Sequence, residues 1–124
     1  MATRIRKTDD FGPYAFYWDG KYLRETDEFG NYLAYFDGRY IRETDEFGAM
    51  LYHWDGKYMR DGDEFGERRF YYSGNRAKFG DEFGDNAFYF DGKYLRNGDE
   101  FGETLFYVDG LLPEPLLIFI FTKK

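Results

Sequence analysis

The string Asp-(Asp/Glu)-Phe-Gly occurs six times in this chain, starting at Asp9, Asp27, Asp45, Asp63, Asp81 and Asp99, each 18 residues after the last. Ten residues into each copy comes a second string, Asp-Gly, at Asp19, Asp37, Asp55, Asp91 and Asp109, with Ser73-Gly74 in the fourth copy. Twelve of the 15 glycines fill these two slots, and Gly62, Gly80 and Gly98 open the last three units. Glycine placed this regularly marks turns, and a glycine every eight or ten residues leaves no room for a long helix. A period in this range is the signature of a tandem array.

Two short aromatic runs lie between the turns of each unit, such as Tyr14–Trp18 and Lys21–Glu25. Runs of this length and composition, bounded by glycine, read as strands, and Asp-Gly between two of them signals a hairpin. Placing Asp-Gly at the centre of a two-residue turn sets Trp18 opposite Lys21, Tyr17 opposite Tyr22 and Phe16 opposite Leu23. Alternation then sorts Phe16, Trp18 and Leu23 to one face and Tyr17, Tyr22 and Arg24 to the other. A four-residue loop at Asp27–Gly30 carries the rows onward, with Tyr22 opposite Tyr35 and Leu23 opposite Ala34. The fold class is all-β: tandem antiparallel hairpins of 18 residues in one domain spanning residues 1–124. The units are 8–25, 26–43, 44–61, 62–79 and 80–97, with a half-hairpin at 1–7 and a divergent last unit at 98–124.

The ends carry further information. Thr3–Lys7 matches the second strand of a unit, and Thr104–Val108 makes a first strand before Pro113 and Pro115 interrupt any ladder. The two end strands can therefore pair and close a ring of twelve, leaving the run Leu116–Phe121 as surplus, capping or plugging the assembly. Equal pairing across both turns supplies none of the register stagger that a barrel needs. The expectation is accordingly an open, twisted meander or solenoid, with the closed twelve-stranded ring or barrel as its alternative. The apolar run is expected to be a last strand or cap; its six residues fall far short of the ~20 that span a bilayer as a helix. Residues 1–7 hold three bases, whereas residues 98–115 hold five acids and no base.

The chemistry of the chain excludes more than it suggests. With no cysteine there are no disulfides, thiolate metal sites or cysteine nucleophiles. A single histidine, His53, rules out a multi-histidine metal site and stands where other units carry tyrosine. A net charge of −7 gives no basic field for nucleic acid. Each acid recurs in five copies, whereas a catalytic site is singular, so no enzyme is expected, and no cofactor. The Asp-(Asp/Glu)-Phe-Gly loops offer oxygen ligands for calcium, but the same residues make a turn in which Asp accepts backbone N–H groups, Phe anchors the loop and Gly takes positive φ. Arg68, Arg69, Arg76 and Lys78 form a basic spot in unit four.

Aromatics make up 24% of the chain, and the tyrosine row is the surface best suited to binding. Tyr17, Tyr22, Tyr35, Tyr40, Tyr58, Tyr89 and Tyr94 share a face with Arg24, Arg42, Arg60 and Arg96. Tyrosine and arginine together stack on sugar rings or pack against a partner chain. The hairpin-plus-aromatic layout resembles the choline- or glucan-binding repeats of cell-wall proteins and the Tyr/Gly membrane-occupation repeats. The Gly-Trp and Trp-Tyr-Tyr signatures of the first and the longer Tyr-x-Gly-x-Trp pattern of the second are missing, so membership of neither follows. The expected function is a non-enzymatic binding module for a carbohydrate or a protein. Its alternatives are a structural protein that self-associates through strand edges and oppositely charged ends, and a calcium-binding array. Neither a signal peptide nor a transmembrane segment is apparent, which makes the cytoplasm the default compartment.

Overall fold

Each unit folds as the hairpin that its glycines dictate. In the computed structural model, which describes residues 2–124, the strands are β1 (Thr3–Lys7), β2 (Tyr14–Trp18), β3 (Tyr22–Glu25), β4 (Tyr32–Phe36), β5 (Tyr40–Glu43), β6 (Met50–Trp54), β7 (Tyr58–Asp61), β8 (Arg68–Ser73), β9 (Arg76–Phe79), β10 (Asn86–Phe90), β11 (Tyr94–Asn97) and β12 (Thr104–Asp109), followed by one helix, α1 (Glu114–Thr122). All neighbours pair antiparallel, and β1 pairs with β12 as well as β2, so the sheet is a closed barrel. The twelve-stranded ring is therefore the architecture, and the expectation of an open meander is corrected.

The correction comes from the hairpin turn. Trp18 pairs with Leu23 and Tyr17 with Arg24, two residues away from the pairing expected above. Asp19 does not sit inside the turn but opens it. Its Oδ1 accepts the N–H groups of Lys21 and Tyr22 at 2.9 and 2.8 Å, and Gly20 takes the first central position with φ 103°. The pairing across the other loop is as expected, Tyr22 opposite Tyr35 and Leu23 opposite Ala34. Tyr35 thus lines up, through Tyr22, with Asp19 rather than with Tyr17, its counterpart one unit earlier. Every unit steps the ladder by two residues, and six units give a stagger of twelve. A slip of two preserves which side chains face which way, so the sorting of Phe16, Trp18 and Leu23 from Tyr17, Tyr22 and Arg24 survives the change.

Each Asp-(Asp/Glu)-Phe-Gly connection also carries a bulge, skipping Ala15, Leu33, Leu51, Arg69, Ala87 or Leu105. The bulge reverses the alternation below it, turning Tyr14 and Tyr32 to the outside along with Tyr17 and Tyr35. The backbone of the chain-end pair repeats that of the hairpins. Thr8 N–H donates to Leu105 O at 2.9 Å, as Thr26 N–H does to Ala15 O at 2.9 Å. The ring is thus a circular array opened at one Asp-Gly turn, and its charged chain ends are joined to each other.

Twelve strands with a stagger of twelve tilt by about 35° and close at a radius of about 11 Å, given usual strand spacing and rise. Inward side chains reaching ~5 Å leave a channel about 11 Å wide, the diameter of an α-helix with its side chains. α1 fills it. Pro115 through Phe121 are all buried, with no polar face. The Phe121 ring lies 5.1–6.3 Å from those of Phe88, Phe79 and Phe70, and Phe119 lies 6.4 Å from Tyr52. The run Leu116–Phe121 is therefore the plug expected for a closed ring, as a helix rather than a strand or an edge cap. A closed barrel has no unpaired edge, so a strand inside it would bury its N–H and C=O groups unsatisfied, whereas a helix satisfies its own. Pro113 supplies the N-cap and Pro115 stands in the first turn, where proline is tolerated.

Two substitutions test this account by chemical denaturation. Ile118→Ala opens a void at the axis and is expected to lower unfolding free energy by about 2–5 kcal/mol. Thr8, Thr26 and Thr44 hold φ of 64–70° where the later units have Gly62, Gly80 and Gly98. Thr44→Gly relieves that strain and should raise stability by up to about 1 kcal/mol, net of the glycine's entropy.

Candidate functional site

All eleven tyrosine and arginine residues singled out above lie half-buried on the outer wall. The wall is a closed cylinder rather than a flat platform, so they are not brought to one patch: Tyr35 on β4 and Tyr89 on β10 sit on opposite sides of the ring. Their ring faces are occupied by neighbours. Tyr22 and Tyr35 meet at 5.4 Å, Tyr40 and His53 at 5.0 Å, Tyr58 and Tyr71 at 5.3 Å, and Tyr94 and Tyr107 at 5.3 Å. In the remaining two pairs an arginine covers the tyrosine, Arg4 on Tyr17 and Arg76 on Tyr89. Arg24 lies 4.2 Å from the centre of Tyr32, which also stacks on Tyr22 at 4.2 Å; Arg42, Arg60 and Arg96 cover Tyr40, Tyr58 and Tyr94 at 5.7–5.9 Å. Two cations of the basic spot of unit four are paired, Arg69 with Asp61 at 2.6 Å and Arg76 with Glu100 at 2.7 Å, and Arg68 lies 4.1 Å from the centre of Tyr58.

The phenol tips are held by the loops. Tyr22, Tyr40 and Tyr58 donate to Glu46, Glu64 and Glu82 at 2.7, 3.0 and 2.8 Å. Arg4 and Arg76 reach Glu28 and Glu100 with the same spacing of 24 residues. These bonds explain the second letter of the loop string. Its first letter caps the turn: Asp27 Oδ1 accepts Phe29 N–H at 2.9 Å, and Asp27 O accepts Gly30 N–H at 2.9 Å. Its last letter is dictated by space, because a Cβ on Gly30 would stand 1.6 Å from Glu25 O.

The third letter is left over. Phe11, Phe29, Phe47, Phe65, Phe83 and Phe101 are 89–90% exposed. They do not anchor their loops, contrary to the expectation from turn chemistry. The meander places all six loops at one end of the barrel, so the phenylalanines crown a single rim at intervals of about 10 Å, two strand spacings. The sequence does hold a signal for them. The loop Phe is kept in six of six units while the buried first-strand position drifts through Phe16, Ala34, Tyr52 and Phe70. Burial therefore does not account for the repeated loop phenylalanine.

The same rim is acidic. Of the 24 carboxylate residues, only Asp19, Asp37, Asp55, Asp91, Asp109 and Glu114 lie away from these loops and their flanks. Among the described residues no three or more His, Asp or Glu side chains gather to hold a metal. The helix exits here, and Lys123 and Lys124 border an open cleft of about 640 Å³ with Lys7, Glu25 and Glu103. The opposite rim is built from the Asp-Gly turns. Its carboxylates face inward to their own turns: partial burial opposes ionisation of Asp19, but the N–H groups of Tyr22 and Lys21 and the Arg24 guanidinium outweigh it and hold the group below the usual range.

No family model matches the chain, and neither a curated protein nor a solved structure is similar to it. The fold defines it as a closed β-barrel of tandem hairpins with an internal helix. Among the described residues no helix is long and apolar enough to cross a membrane.

The clasp between wall and loop sets a pH dependence. The bond to Glu46, with desolvation behind it, pushes the Tyr22 phenol up to about 12 from 10.0, and the same bond holds Glu46 below its ordinary value. Raised Tyr22 contributes stability that is full below pH 10 and fades as pH climbs towards 12. Lowered Glu46 contributes stability that is full above its ordinary carboxylate range and fades as pH falls through its depressed value. In Glu46→Gln, ring-labelled NMR should show Tyr22 titrating closer to 10, with Tyr58 unmoved beside its intact Glu82.

Proposed function

We propose that this barrel is a non-enzymatic protein-interaction module that engages a cationic polypeptide through its phenylalanine-crowned acidic rim. One observation carries the reading: six phenylalanines stand about nine-tenths exposed on one rim, in a loop whose other three residues all have structural duties. Soluble folds rarely gather exposed large apolar groups without a partner for them. The surrounding carboxylates select the partner's sign, and each ring adds a cation–π surface for lysine or arginine.

The outer wall supports this choice by what it lacks. Sugar recognition by tyrosine needs an open ring face, and on the wall those faces are covered by arginine or by another ring. Such cross-strand pairs contribute about 0.2–1 kcal/mol each to the sheet itself, which is a sufficient reason for the row.

Selection of displayed random peptides against the immobilised protein tests the assignment. Enriched peptides should be rich in Lys and Arg with interspersed apolar residues. A rim variant, Phe29→Ser with Phe47→Ser and Phe65→Ser, should lose them; a wall variant, Tyr35→Ser with Tyr71→Ser, should keep them. Peptides retained by the rim variant, or lost on the wall variant while its circular dichroism is unchanged, overturn it.

A further inference from the structure

The end of the barrel opposite the phenylalanines bears its own periodic set of groups. Lys21, Arg39, Lys57 and Lys93 follow Asp-Gly in four turns, are exposed, and stand at the tips of the hairpins. The Asp of each of these turns is satisfied locally: Oδ1 of Asp19, Asp37, Asp55 and Asp91 accepts the N–H of the cationic residue itself at 2.9 Å. This rim therefore presents a repeated exposed cation beside an Asp already engaged by its own turn, and the far rim presents phenyl and carboxylate groups with Lys7, Lys123 and Lys124 at the helix exit.

Both sets recur every 18 residues around one axis. They consequently share the same angular interval, one sixth of a turn, and nearly the same radius, so a single rotation brings one set over the other. We infer that the polypeptide best fitted to the phenylalanine rim is the Asp-Gly rim of a second copy, stacked head to tail on the same axis. In this arrangement four ammonium or guanidinium groups lie over phenyl rings and between carboxylates. The fourth turn has Asn75 at this position and contributes no such charge. The inference rests on the rim being an interaction surface and goes beyond it by naming the occupant.

Two alternatives between copies are disfavoured by charge. Phenylalanine rim against phenylalanine rim brings together most of the chain's carboxylates, and turn rim against turn rim brings together its cations. A head-to-tail contact is heterologous and does not close on itself, so it propagates as a column. A rim about 25 Å across covers roughly 1,000 Å² in total when stacked, the lower edge of specific interfaces. The association is accordingly reversible, dependent on concentration, and weakened by salt.

Sedimentation velocity with two complementary variants tests this. The rim-blunted variant carries Phe29→Ser, Phe47→Ser, Phe65→Ser and Phe83→Ser; the turn-reversed variant carries Lys21→Glu, Arg39→Glu, Lys57→Glu and Lys93→Glu. All eight positions are exposed, and circular dichroism verifies that both variants fold. The wild type should grow into successively larger species with rising concentration and shrink again in high salt. Each variant alone should stay a monomer, and their mixture should form one-to-one dimers and stop there, since each supplies the end that the other lacks. A wild type that stays monomeric into the millimolar range, or a mixture with no dimer, overturns the stacking. If that same wild type still binds Lys/Arg-rich peptides through its phenylalanines, the rim reading stands without it; if it binds none, both fall.

Discussion

The whole structure depends on where the Asp-Gly turn pivots. With Asp19 opening the turn and Gly20 at its first central position, each hairpin is out of step with the next loop by two residues. Six such steps give twelve strands a stagger equal to their number, and that ratio fixes strand tilt, radius and bore together. Pivoting one residue earlier, with Asp19 and Gly20 both central, would leave the stagger at zero. The strands would then run parallel to any closing axis, and the same side chains would have to line an untilted sheet. A handful of backbone bonds to Asp side chains thus decides between an open ribbon and a tube.

The tube in turn decides what its terminal segment must be. A ring of this size is too wide for its own inward side chains to meet at the axis, and an empty bore lined by Phe16, Leu23, Phe88 and Leu95 would leave apolar surface without partners. Nine helical residues rise about 13 Å, which is also about the axial height of five-residue strands tilted by 35°. The helix fits in length as in width. It can enter because the array is circularly opened at one turn: the chain leaves β12 at Asp109, Thr3 Oγ1 donates to Leu111 O, and Pro113 starts the descent. Burying six Leu, Ile and Phe side chains at about 1.5–3 kcal/mol each makes α1 a principal contributor to the stability of the barrel.

Much of this was legible in eighteen letters. Periodic glycine and alternating aromatics identify the hairpin, the faces and the loop pairing of Tyr22 with Tyr35, because side-chain parity is insensitive to a slip of two. The matching end strands Thr3–Lys7 and Thr104–Val108 make the closed ring legible as an alternative, but the choice between ring and open sheet turns on that slip: whether Asp19 sits inside a two-residue turn or opens it is a matter of φ at Gly20. The helix was hidden for a related reason. Leu116–Phe121 has the composition of a strand, and only the absence of any free edge within a closed ring forbids it from being one. Alternation puts the tyrosines on the correct side as one face of an open twisted sheet, whereas tilt and closure wrap that face around a cylinder and let Arg24 and Tyr22 cover Tyr32.

The loop tetrapeptide separates folding from function within four residues. Asp27 caps, Glu28 reaches back to Arg4, and Gly30 fills a place where no side chain fits; a polar residue at Phe29 would serve the turn as well as phenylalanine does. Exposed over about nine-tenths of its surface, the loop phenylalanine contributes little to the packing of the barrel. Its presence in all six loops is what the proposed interaction outside the protomer accounts for. Because one antiparallel meander sends every such loop to the same end, the repeat converts a single exposed side chain per unit into a ring. On the proposed reading, weak contacts at equal intervals around that ring add up as a multivalent surface.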